Sequence, residues 1–260
     1  MTLTFLVTRP NPAGEALCQL IRAQGDHAIH CPTIAFKAPC DKTLFLQSME
    51  KLPEQDWIIW ISPQAVYATL DSLQHLKDQL RKVKLASIGA GTANILIKAG
   101  FHVAAYPKTQ ANSENLLALP PFQSIKDKKI AIIRGEGGRD YLEKTLTQKG
   151  AHVFSVVVYE RILPTIAVES YITPVKQKMI DAIICSSGEG VSNLKHVMGI
   201  AMWEILRDIP LIVVSERIKI LAQRLGFQTI WVARDADHDA LVEIIRRNRN
   251  VLCQKKQMKS

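Results

Sequence analysis

Short apolar runs alternate with longer amphipathic stretches along most of the chain. Ten runs predict strands, at Phe5–Thr8, His27–Cys31, Trp57–Ile61, Lys84–Ile88, His102–Tyr106, Lys129–Arg134, His152–Tyr159, Ala182–Cys185, Pro210–Val214 and Gln228–Val232. Many are continuous Val/Ile/Leu segments, the pattern of parallel strands covered on both faces. The stretches between them read as helices. In Glu15–Ala23, for instance, Ala16, Leu17, Leu20 and Ile21 share one stripe and Gly25 follows as a stop. Strand–helix alternation of this kind predicts an α/β protein with parallel sheets.

The pattern also repeats. Arg9, Leu17 and Gly25 recur as Arg134, Leu142 and Gly150, with the same internal spacings of 8 and 16, and His27 and His152 follow two residues after each glycine. Ser62 recurs as Ser186, Ile88-Gly89 as Val214-Ser215, Gly100-Phe101 as Gly226-Phe227, and Asn115-Leu116-Leu117 as Ala240-Leu241-Val242, at offsets of 124 to 126. A register held over a hundred residues predicts a duplicated α/β unit of about 125 residues with five strands in each copy. Two such sheets imply two similar lobes with a cleft between them. Ligands of open α/β sheets bind beyond the carboxyl ends of the strands, so the turns there are where chemistry is expected.

Those turns are Thr8-Arg9-Pro10, Ser62-Pro63, Gly89-Ala90-Gly91-Thr92, Arg134-Gly135-Glu136-Gly137-Gly138, Ser186-Ser187-Gly188 and Ser215-Glu216-Arg217. Each opens a predicted helix with small, hydroxyl-bearing or glycine residues. Unpaired N–H groups at the positive end of a helix suit anions. The plain alternative is that Ser62, Thr92, Ser186 and Ser215 only cap their helices. Six such turns, several with arginine, favour an anion site. The candidate ligands are Arg9, Ser62, Gly89, Thr92, Arg134, Gly135, Gly137, Arg139, Ser186, Ser187, Ser215 and Arg217. Familiar motifs fail. Gly89-Ala90-Gly91-Thr92-Ala93-Asn94 ends in Asn94 where a dinucleotide fingerprint needs glycine or alanine, and Gly135-Glu136-Gly137-Gly138 lacks the Gly-Lys-Ser/Thr of a P-loop. Tyr159 ends the run Phe154–Tyr159. It reads either as an aromatic packing an edge or as a phenol serving as proton donor.

Composition narrows the classes. With 47% hydrophobic and 22% charged residues the chain is globular. It carries 33 Lys+Arg against 24 Asp+Glu, a net charge of +9 that suggests an anionic partner. Residues 246–260 hold six basic side chains and no acid, which leaves +3 for residues 1–245. That run reads as a frayed, dispensable tail. Charge is the only hint of nucleic acid, and no basic–aromatic platform accompanies it, so no nucleic-acid partner is expected. The five cysteines (Cys18, Cys31, Cys40, Cys185 and Cys253) are odd in number and widely spaced, as for reduced thiols in a cytoplasmic protein. His27 and His30 and the other five histidines lack zinc spacing, so no metal is expected. No apolar run approaches a membrane span, and Met1–Arg9 reads as a first strand and not as a signal peptide.

Taken in order, Leu6-Val7-Thr8-Arg9-Pro10, Cys31-Pro32-Thr33-Ile34, Ile59-Trp60-Ile61-Ser62-Pro63, Ile88-Gly89-Ala90-Gly91-Thr92-Ala93, Ile133–Arg139, Val158-Tyr159-Glu160-Arg161, Cys185–Val191 and Val214-Ser215-Glu216-Arg217 resemble the uroporphyrinogen-III synthase family from about Leu3 to Ile245. The resemblance implies two flavodoxin-like domains joined by a two-stranded linker. The first would combine residues 1–34 with 167–260 and the second would span 41–158, with linker strands at 35–40 and 159–166. It implies closure of the polyanionic linear tetrapyrrole hydroxymethylbilane to uroporphyrinogen III, with inversion of the last ring and loss of water. It also implies a monomer with no cofactor or metal, its substrate handed over from the preceding deaminase. Tyr159 matches the family tyrosine proposed to assist departure of the hydroxyl, Thr92 the cleft threonine of its Gly-x-x-Thr-Ala turn, and Ser62 and Ser186 the serines of two strand-to-helix turns. Glu216-Arg217 stands where some members carry two threonines, so contacts there are expected to differ. The alternative from another class is a non-enzymatic two-lobed receptor or regulator for a small anion.

Overall fold

A computed structural model describes residues 1–39, 41–137, 140–165 and 169–258. Its strands are β1 (Thr4–Val7), β2 (His27–His30), β3 (Ala35–Lys37), β4 (Trp57–Trp60), β5 (Lys84–Ser87), β6 (Val103–Ala105), β7 (Lys129–Gly135), β8 (His152–Ile162), β9 (Ala182–Ile184), β10 (Leu211–Val213) and β11 (Ile230–Val232). All ten strands read from the pattern are present within a few residues at each end. The helix read at Glu15–Ala23 spans Ala13–Ala23.

The chain divides into two compact units, Met1–Ala35 with Ile162–Ser260, and Phe36–Arg161. One sheet has five strands in the order β11-β10-β9-β1-β2, and the other has six in the order β3-β8-β7-β4-β5-β6. The expectation of five strands in each sheet is therefore corrected. The segments implied as linker strands contribute β3 and the end of β8 to the second sheet, and β3 is its added edge strand. The pairings within β1, β2, β9, β10 and β11, and within β4–β8, are parallel.

Alternate residues of each central strand enter opposite core layers. Leu6, Ile183, Leu211 and Val213 pack on one face of the first sheet, and Phe5, Val7, Ala182, Ile184 and Ile212 on the other. In the second sheet Ile58, Trp60, Leu85, Ala131 and Ile133 face one layer, and Trp57, Ile59, Ala86, Ile130 and Ile132 the other. Helices on both faces explain why these strands are apolar throughout and not alternating.

As far as Gln257 the basic run at the C-terminus is not a frayed tail. It belongs to a helix, His238–Gln257, in which Leu252 is buried. Two buried acids receive its cations. Arg249 donates from both Nη atoms to Asp26 at 2.7 and 2.9 Å, and Lys256 Nζ lies 2.7 Å from Asp181 Oδ2. Asp26 also accepts from Leu3 N and Asp181 from Thr4 N, so both acids hold the start of β1.

Candidate active site

In the Phe36–Arg161 unit, β8, β7 and β4 are neighbours and their carboxyl ends converge. Tyr159, only 2% exposed, sits near the end of β8. Phe36 from β3 packs edge-on against it, with ring centroids 5.1 Å apart at 77°. Its hydroxyl lies 3.1 Å from Ser62 Oγ. Ser62 follows β4 and caps the helix Pro63–His75, its Oγ accepting from Ala65 N at 3.1 Å, with proline in the first turn where no N–H is needed. Arg161 Nη2 also donates to the Tyr159 hydroxyl at 3.4 Å, and its guanidinium lies 5.7 Å from the ring centroid. Gly135 ends β7 opposite Tyr159, and Glu136 N donates to Tyr159 O at 2.8 Å.

The other candidates of this unit fall into distinct roles. Arg134 is buried and committed to its own loop. Nη2 donates to Gly137 O at 2.6 Å, while Nη1 lies 3.3 Å from Asp140 and 3.6 Å from Glu143. It clamps the glycine turn in place and braces the helix Tyr141–Gln148 that follows. Gly89 is the residue preceding the helix Ala90–Lys98, where a Cβ would meet Ala111 Cβ at 2.3 Å. Thr92 is buried inside that helix and is not its cap. Arg139 and Cys40 lie outside the described residues.

In the other unit, Arg9, Ser186, Ser187, Ser215 and Arg217 follow β1, β9 and β10, which are adjacent. The capping serine after β9 is Ser187, whose Oγ accepts from Gly190 N at 2.9 Å, and not Ser186. Ser215 caps the helix Glu216–Arg224, and Arg217 is exposed on its first turn. Arg9 is the unusual member. Its Nη1 is buried with no hydrogen-bond partner among the described residues. Burial lowers its pKa, opposed by the nearby Asp237 and Cys185. His238 is likewise held below its ordinary value, by burial and then by Arg9. A buried guanidinium nitrogen without a partner is costly unless a ligand completes it.

The thiols and acids form neither a reactive thiolate nor a metal centre among the described residues. Burial pushes the Cys31 thiol up to about 12 and the Cys18 thiol up to about 11. Cys185 is raised as well, by burial. Among the described residues no group of three or more His, Cys, Asp or Glu side chains is placed to hold a metal ion, and no helix is long and apolar enough to cross a membrane.

The family model described as Uroporphyrinogen-III synthase HemD matches residues 15–243. The chain belongs to the uroporphyrinogen-III synthase family. It is 34% identical over 249 residues to uroporphyrinogen-III synthase of Escherichia coli (strain K12), which covers 94% of this chain and 100% of that protein. The same identity and coverage hold for uroporphyrinogen-III synthase of Salmonella typhimurium (strain LT2). A crystal structure of a mutant uroporphyrinogen III synthase from the extremely thermophilic bacterium Thermus thermophilus matches with a TM-score of 0.62 at 16% identity, covering 98% of this chain and 100% of that one. The structure of the Helicobacter pylori 26695 enzyme matches at 0.61 and 16%, covering 95% and 99%. At those identities the structural likeness speaks to fold alone. Members of this family are enzymes, and the sequence relationship extends the full length of the Escherichia coli and Salmonella typhimurium proteins.

Against this membership, Arg161 and Phe36 are the residues that sequence reasoning missed. Arg161 stood in view two positions after Tyr159, but it shares a face with the phenol only because β8 runs on to Ile162, past the predicted strand end at Tyr159. Phe36 had no local signal, because its contact with Tyr159 depends on β3 pairing beside β8.

Proposed function

We propose that this chain closes hydroxymethylbilane to uroporphyrinogen III, inverting the last pyrrole ring and releasing water, as a cofactor-independent hydro-lyase. Family membership supports the reaction, and the observation that carries the site is the Tyr159 hydroxyl 3.1 Å from Ser62 Oγ at the ends of β8 and β4. The first unit has the strand order 2-1-3-4-5, and β4–β8 of the second give the same order in circular permutation, with β7 and β8 taking the first two places, which supports two flavodoxin-like domains, residues 1–34 with 167–260 and residues 41–158, with linker strands between.

The chemistry asks little of side chains. An electron-rich pyrrole expels the hydroxyl of the hydroxymethyl group once that oxygen receives a proton, leaving an azafulvene. Attack on it by a substituted pyrrole carbon gives a spiro intermediate, which reopens and closes with the ring inverted. Tyr159 is the proton donor to the departing hydroxyl. Ser62 Oγ accepts from Ala65 N and so can donate its own proton to the phenol oxygen, to which Arg161 also donates. A phenol oxygen receiving two donors keeps its O–H for a third partner, the leaving hydroxyl. Arg9, with an unpartnered nitrogen, and the helix N-termini at Ser62, Gly89, Ser187 and Ser215 are ligands for the substrate's carboxylates. The chain acts as a cytoplasmic monomer that receives the bilane from the preceding deaminase and needs no nucleic acid. Identifying the isomer formed from hydroxymethylbilane tests this function: type III supports it.

A further inference from the structure

Ring inversion requires a seat for the ring that turns over. A cavity of about 390 Å³ opens in the Phe36–Arg161 unit against the ring of Tyr159. That volume falls in the range of small-molecule pockets, about 300–1,000 Å³. Phe36 and Tyr159 form one wall, Phe45 and Leu46 of the helix Lys42–Glu50 another, and Ala68 of the helix Pro63–His75 a third. Leu46 remains 55% exposed at the mouth. The polar groups on the rim are Lys37, Lys42 and Gln64, and no described carboxylate lines the cavity. Lys37 stands 4.0 Å from Glu160, and Lys42 is exposed at the start of its helix.

An apolar slot between aromatic faces, with cations only at its mouth, selects a flat aromatic ring that carries acidic substituents. We propose that this cavity takes one pyrrole ring of the linear tetrapyrrole, with an acidic substituent directed to Lys42, and seats the ring that is inverted beside Tyr159. The proposal rests on the function given above. It adds a side-chain pocket that sets product identity to the Tyr159–Ser62 pair, Arg9 and the helix ends.

The test uses the full chain and a monopyrrole bearing one acetate and one propionate as probe. Methyl NMR signals of Leu46, Ala68 and Val158 are followed in the wild type, in Lys42→Glu, which changes only an exposed side chain, and in Ala68→Phe, which fills the cavity. Thermal unfolding checks that both variants fold. Saturable shifts on those three methyls, about tenfold weaker binding in Lys42→Glu and none in Ala68→Phe are expected. With the whole substrate, Ala68→Phe should lower the ratio of type III to type I product. Shifts elsewhere, or variants that leave both binding and isomer ratio unchanged while the wild type makes type III, overturn the pocket and leave the function standing. A wild type that makes no type III product yet binds the probe at these methyls overturns the function and keeps the cavity as a pyrrole-acid site.

Discussion

Gly135 and Tyr159 face one another across the ends of β7 and β8, and a Cβ on Gly135 would sit 2.3 Å from Cε2 and 2.8 Å from the hydroxyl of the phenol. The tyrosine is boxed in by Phe36 on another side, so the ring has no slack. Gly135→Ala should push the hydroxyl off Ser62 and lower kcat by about 10²-fold, as misplacement by about an ångström does. Its cost in stability should be only about 1–3 kcal/mol, that of local overpacking. Steady-state rates beside a thermal melt separate the two effects. An unchanged rate in a folded variant would place the phenol outside the reaction.

Removing only the hydroxyl is the cleaner change. Tyr159→Phe keeps the packing on Phe36 and should slow closure by about 10²-fold, the low end of general-acid contributions, with little change in melting temperature. Ser62→Ala loses the helix cap as well, about 1 kcal/mol. If Ser62 acts through Tyr159, its effect on rate should vanish in the Tyr159→Phe background while its effect on stability persists. A coupled deaminase assay on the four proteins of the cycle measures this.

Arg9 offers a different signature. A buried guanidinium nitrogen with no partner costs stability in the unliganded protein. Arg9→Met should therefore leave the melting temperature unchanged or raise it, and raise KM about tenfold. A steep loss of stability with KM unchanged would make Arg9 a structural residue.

The C-terminal helix predicts acid sensitivity. Burial alone would raise the Asp26 pKa, but the Arg249 hydrogen bonds and the Leu3 N–H outweigh it and hold the carboxyl below its ordinary value. A depressed carboxylate contributes stability that is complete above its unfolded pKa of about 4 and is lost as pH falls through the lower folded value. Arg249→Ala should cost about 1–3 kcal/mol at neutral pH by leaving a buried acceptor short of its partner, and should flatten the acid limb of the stability profile. Equilibrium unfolding between about pH 3 and 7, which spans that window, checks both.

The ten strands are legible in the sequence because parallel strands buried on both faces are apolar throughout. Trp57–Trp60 and Ile130–Ile133 could hardly be anything else in runs so short. The repeat is legible too, but not how its copies are dealt out. Offsets near 125 say that β1 corresponds to β7 and β9 to β4, and nothing about which strands pair. The first unit takes two strands from the first copy and three from the second, while the other takes four from the first copy, the edge strand β3 among them, and two from the second. The basic C-terminal run misleads for a similar reason. The acids it serves lie 223 positions away at Asp26 and 75 away at Asp181. Nothing local marks those acids as buried. Arginines at strand ends looked alike in sequence, yet Arg134 is spent on its own turn while Arg9 keeps a nitrogen with no partner among the described residues. Only the neighbours decide between the two.

The most direct measurement is the isomer composition of the product when purified chain is mixed with freshly made hydroxymethylbilane. The bilane closes unaided to the type I isomer. Type III product in excess of type I, falling toward the spontaneous mixture in Tyr159→Phe, is the expected result. Type I product alone, at the spontaneous rate, would contradict it.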